Sequence, residues 1–151
     1  MAEQSDLLQA LVSEDDVDRL LTLVSLDDVA AAWCRYASRP HSPDEPGGPD
    51  WWAVDLFYND EIYRRPELYR ALLLTMVDHA TEAVLGAIGA GPLENFVSND
   101  EDDLLWLERE CSTNPKLRIA LSGVWFPEFM SEEAVRRLEA AAGGHPMRQR
   151  E

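Results

Sequence analysis

Basic residues are scarce in this chain: thirteen Lys and Arg stand against twenty-nine Asp and Glu, for a net charge of −16. No basic cluster is large enough to neutralise a phosphate backbone, which argues against direct nucleic-acid binding. Cysteine is nearly absent as well. Cys34 and Cys111 lie far apart, in no metal or redox spacing, and both fall within helical patterns, so they read as buried free thiols. The longest apolar run, Leu72 to Val77, is far too short for a membrane span. Residues 1–12 lack a basic stretch followed by an apolar one, so no signal peptide is read there and a cytoplasmic protein is expected. Finally, no run of four to eight residues alternates as a half-buried strand would, and β content near zero is expected.

Apolar and aromatic residues are plentiful. They make up 46% of the chain and include five Trp, four Tyr and four Phe, which separates it from disordered acidic tails. With 151 residues, one domain can bury about 70% of its unfolded surface. The expected architecture is all-α: a bundle of eight or nine short antiparallel helices, helical-repeat-like but without a strict period. A single helical domain is expected over residues 1–144. The Pro/Gly-rich stretch 39–50 forms an exposed loop, and residues 145–151 a frayed tail.

Punctuation along the chain supports this reading. Ser13 with Asp16, and Ser25 with Asp28, have the spacing of capping boxes. The Ser25 box opens a helix carrying Val29, Trp33, Tyr36 and Ala37 on one face. Asp50 can cap a helix whose Trp51, Val54, Phe57, Tyr58 and Ile62 form a broad aromatic face. Pro66 opens the helix expected to be most buried, with Leu68, Tyr69, Leu72, Leu73, Met76 and Val77 as its stripe. Asp100-Glu101-Asp102-Asp103 loads the first turn of another, where acids complement the dipole. Asn114-Pro115 and Ser131-Glu132-Glu133 open the last two.

Between two of these patterns lies Gly89-Ala90-Gly91-Pro92-Leu93-Glu94. Gly91 suits the left-handed position that ends a helix, and Pro92 the first position of the next, so a fixed corner is expected. The segment Ala87–Phe96, followed by an acidic helix and Leu121-Ser122-Gly123-Val124-Trp125, resembles an uncharacterised family of small bacterial domains. That family is marked by an Ala-Gly-Pro-Leu-Glu signature and a later Gly-Val-Trp. Pro66-Glu67-Leu68-Tyr69 also fits, so the likeness spans roughly residues 26–126. Gly89 stands where alanine is expected and Tyr69 where tryptophan is. The resemblance implies a fold and no activity, so it assigns no catalytic residue.

Chemistry is hard to find in the residues themselves. Gly86, Gly89 and Gly91 follow a helix rather than a strand, with no Lys-Ser/Thr after them, which argues against a phosphate cradle. The 100–103 run fails as a calcium loop because leucine replaces the obligatory glycine. His79 and Glu82 are half of a bundle-core metal pattern in the wrong order, with no second half elsewhere. No nucleophile, base and orienter come together in a motif. No cofactor and no enzyme activity are expected.

Acidity is the remaining lead. Residues 1–63 hold fourteen acids and three bases, a balance of −11, and the rest of the chain only −5. A field of this kind favours encounter with a basic partner. The leading expectation is therefore an acidic protein-binding module, an immunity, antitoxin-like or inhibitor protein that occludes a basic bacterial toxin or nuclease. Its candidate contacts are Glu14, Asp15, Asp16, Asp18, Trp51, Trp52, Asp100, Glu101, Asp102 and Asp103. A small structural or regulatory domain, homodimeric through the Trp51–Tyr58 face, is the alternative. A metal-dependent helical-bundle enzyme using His79 and Glu82 comes third.

Overall fold

The computed structural model describes residues 2–39 and 47–143. Residues 40–46, most of the expected loop, and the expected tail 145–151 lie outside the described residues. Regular structure among the described residues is entirely helical, and the fold is all-α. The chain divides into two compact units, Met1–His79 and Ala80–Glu151.

The first unit holds α1 (Ala2–Ser13), α2 (Val17–Leu23), α3 (Leu26–Ser38), α4 (Trp51–Asp55), α5 (Asp60–Tyr63) and α6 (Pro66–His79). The Ser25–Asp28 capping box forms as expected, each side chain accepting from the other's backbone N–H. The Ser13–Asp16 box does not, because α1 runs through Ser13. Asp15 then turns the chain with a left-handed backbone (φ 59°), and Asp16 itself caps α2 by accepting from Arg19 N–H. The core forms where α3 lies along α6. Val29, Ala30, Ala32 and Trp33 are buried on α3, and Tyr69, Leu72, Leu73, Met76 and Val77 on α6. Each such large apolar side chain contributes about 1.5–3 kcal/mol when removed from water.

Three expectations in this unit need correction. Asp50 precedes α4 but makes no side-chain cap; it is buried and accepts from Arg35 and Arg39 instead. The far end of the expected exposed loop is therefore anchored, and Pro49 next to it accepts a hydrogen bond from the Ser5 hydroxyl at 3.1 Å. Cys111, in the other unit, is buried as expected, whereas Cys34 is only half-buried; both are free thiols. The aromatic face of α4 is also split. Trp52 and Phe57 are 5% and 3% exposed, so they belong to the core and are closed to a partner.

The second unit holds α7 (Glu82–Ile88), α8 (Glu94–Phe96), α9 (Glu101–Cys111), α10 (Pro115–Ser122) and α11 (Glu132–Ala141). The expected corner is absent. Gly89–Leu93 form a π-helical turn that carries α7 into α8, and among described glycines only Gly47, Gly48 and Gly143 have positive φ. Proline has no N–H and its ring crowds the carbonyl four residues back. The wider π turn accommodates Pro92 without ending the helix. Glycine is required at position 89 for another reason: a Cβ there would run into the carbonyl of Ala120 on α10. The helix starts are legible from local spacing. Asp100, Asn114 and Ser131 each accept from the backbone N–H three residues on. Arg137 then ties α11 to α9, donating to Glu101 at 2.7 Å and to Glu108 at 2.6 Å.

Candidate protein-binding surface

In the first unit, α3, α4 and the turn after α4 together present three aromatic rings in a row. Tyr36 on α3 lies 5.4 Å from Trp51, and Trp51 stacks on Tyr58 at 6.4 Å with 28° between the planes. Trp51 is half-buried, but Tyr58 is 70% exposed. A ring so open to water yet stacked on its neighbour offers a preoriented π face.

Tyr58 also lines a cavity of about 240 Å³ together with Val12, Ser13, Asp15, Asp55, Asn59 and Asp60. Three carboxylates and no cation line it. The left-handed turn after α1 places Asp15 there. Buried Asn59 fixes the opposite wall by donating to the Val12 carbonyl at 2.7 Å and accepting from Glu61 N–H at 3.0 Å. Asp55 is held by Gln9, whose amide donates at 2.7 Å. The arrangement suits a cation: carboxylates supply charge-assisted acceptors, and the Tyr58 face supplies cation–π attraction.

A second cleft in the same unit, about 320 Å³, is lined by Gln4, Ser5, Asp28, Arg35, Asp50 and Trp52 among others. Its charges engage one another. Asp50, only 6% exposed at its side chain, takes Arg35 at 3.0 Å and Arg39 at 2.8 Å, while Asp28 is occupied by the capping box. This cleft is a brace joining α3 to the start of α4, and it brings no nucleophile to a base.

Of the residues expected from the sequence to meet a partner, Asp15 lines this cavity and Trp51 stacks on the Tyr58 ring that also lines it. Glu14 and Asp18 are exposed nearby in sequence, but Asp18 is paired with Arg65 at 2.8 Å, and Asp16 is spent on its cap. Trp52 is core. Asp100, Glu101, Asp102 and Asp103 lie in the second unit, where Asp100 caps α9, Asp103 accepts from Ser98 and Glu101 pairs with Arg137. His79 closes α6 with its ring 2.8 Å from Asp27, and Glu82 opens α7. Among the described residues no three His, Cys, Asp or Glu converge as metal ligands. Sequence reasoning missed Tyr36, Asp55 and Asp60 as members of the site. The interleaving Trp51, Asp55, Tyr58, Asp60 was the available signal.

A model of a family of unknown function, DUF6869, matches residues 41–145, more than half of the chain. The chain belongs to that family. Trp51, Asp55, Tyr58, Asn59 and Asp60 fall inside the DUF6869 segment, whereas Asp15 and Tyr36 precede it. No curated protein and no solved structure matches the chain. Among the described residues no helix is long and apolar enough to cross a membrane.

Proposed function

We propose that this chain is a stoichiometric protein-binding module of the bacterial cytoplasm that occludes a basic partner, in the manner of an immunity, antitoxin-like or inhibitor protein. The observation that supports it most is the exposed Tyr58 ring, stacked on Trp51 at the mouth of a cavity walled by Asp15, Asp55 and Asp60. A lysine or arginine of the partner enters between the ring and the carboxylates, while the net charge of −16 steers the approach. A toxin or nuclease that uses such a residue against phosphate is then blocked by occupation of its own basic site. The action is occlusion without turnover.

The test is capture from the native host with the tagged chain at low salt, elution by a salt gradient, and identification by mass spectrometry. A basic protein released by moderate salt is expected, and Tyr58→Ala should weaken its binding about tenfold or more, as loss of an aromatic anchor does. Retention unchanged in high salt, or equal capture by Tyr58→Ala, would count against the reading because the attraction is screenable and centred on this ring.

A further inference from the structure

The cavity beside Tyr58 carries more information than its charge. Its volume of about 240 Å³ falls below the roughly 300–1,000 Å³ of sites that hold a free small molecule. A single side chain carried by a partner fits it better. No Lys, Arg or His lines it. Asp15 and Asp60 are exposed, and among the described residues neither side chain is engaged in a hydrogen bond or an ion pair. Asp55 differs: its Oδ2 accepts from the Gln9 amide at 2.7 Å, which fixes the carboxylate and leaves Oδ1 to accept from an occupant. The Asn59 amide is committed to the wall, its nitrogen donating to the Val12 carbonyl and its oxygen accepting from Glu61 N–H. What the cavity offers is therefore chiefly carboxylate oxygen, an acceptor surface for several N–H donors at once.

The ring decides between the two strong cations that a protein can bring. Trp51 stacks on one face of Tyr58 with 28° between the planes, and the ring is still 70% exposed, so its other face is open. A guanidinium is flat: it can lie against that face and still point its edge N–H groups at carboxylates. It is also more weakly hydrated than an ammonium, so less is lost when it leaves water. A lysine ammonium approaches the same ring only as a point charge. We infer that the cavity is a socket for arginine in preference to lysine. The guanidinium lies against Tyr58 with its edge on Asp55, and Asp15 and Asp60 flank it. Gln9 is a positioning residue, since from α1 it holds Asp55 in place. The inference rests on the binding-module reading, and it narrows the partner to one whose occluded basic site contains an arginine.

The experiment is a nuclear magnetic resonance titration of the full isotope-labelled chain with the Nα-acetyl amides of arginine, lysine and citrulline, the last a neutral analogue of arginine's shape. Arginine amide is expected to shift the Tyr58 ring and Gln9 side-chain amide signals. It should bind about threefold or more tighter than lysine amide, the size of a cation–π contact at an exposed site. Citrulline amide should leave those signals unmoved. Tyr58→Ala should bring arginine and lysine to equal affinity, and Asp55→Asn, which keeps the side chain's shape, should weaken arginine binding. The remaining amide spectrum of each variant, and hence the fold, should be unchanged. Gln9→Ala should lower the ratio of arginine to lysine affinity, rather than both affinities alike. Equal binding of arginine and lysine amides at the cavity would overturn the inference and leave the binding-module reading standing, as a site that reads charge alone. Shifts by citrulline amide equal to arginine's, or an arginine preference that survives Tyr58→Ala, would overturn it too. Failure of both cations to move the Tyr58 and Gln9 signals would sink the inference together with the reading of this cavity as the contact.

Discussion

Gly89 and Gly91 stand two residues apart in one turn and answer to opposite constraints. At position 89 an added Cβ meets the backbone of Ala120, which cannot rotate away; at 91 it meets nothing, and the backbone there is right-handed. Gly89→Ala should therefore lower stability by about 3 kcal/mol, the upper end of overpacking, by forcing α7 and α10 apart. Gly91→Ala should raise stability by about 0.5–1 kcal/mol, through the entropy of the unfolded chain. Urea midpoints of the two variants check both, and a destabilised Gly91→Ala would restore the left-handed corner that the sequence suggests. The thiols differ in the same local way. Burial pushes the Cys111 thiol up to about 11, so at mildly alkaline pH it stays protonated and unreactive. Half-buried Cys34 should take up iodoacetamide first, and peptide mapping that finds Cys111 labelled at an equal rate would refute this.

Helix starts were readable because a cap is a local device. The Ser25–Asp28 box, Asp100, Asn114 and Ser131 each need only the residues three positions away. Asp50 was misread for the complementary reason: its partners, Arg35 on α3 and Arg39 just past its end, lie across a long connection, and two guanidinium groups outcompete a cap. The Tyr36–Trp51–Tyr58 row is equally nonlocal, and only the packing of α3 beside α4 assembles it. Between α9 and α11 the structure predicts a pH dependence. The Arg137 guanidinium holds the Glu108 carboxyl below its ordinary range. A depressed folded-state pKa stabilises above the unfolded value and ceases to do so as pH falls through the folded one. Stability should therefore decline on acidification below about pH 4.3, the ordinary glutamate value, and Arg137→Ala should flatten part of that decline. Denaturation midpoints measured against pH for both chains test this; identical acid profiles would show the tie to be inert.

For the molecule as a whole, a charge of −16 is a cost to folding through self-repulsion. Screening the self-repulsion should raise the thermal midpoint by a few degrees between low and physiological salt, in the absence of any partner. Calorimetry that shows no rise would mean the acids are already spaced widely enough for water to screen them. The same charge was plain in the sequence, as was the all-α fold, because composition and helical period survive without knowledge of contacts. The candidate surface was visible only in pieces, since a cavity is a property of several segments at once.

The DUF6869 match begins at residue 41, yet α3, which ends at Ser38, supplies the apolar cover along α6. Cut at the family boundary, the matched segment would carry Leu72, Leu73, Met76 and Val77 with one side bare to water. The matched segment is thus smaller than the set of helices that packs this core. A fragment of this chain cut at residue 41 should therefore be less stable than the full chain and prone to associate through the bared α6 face.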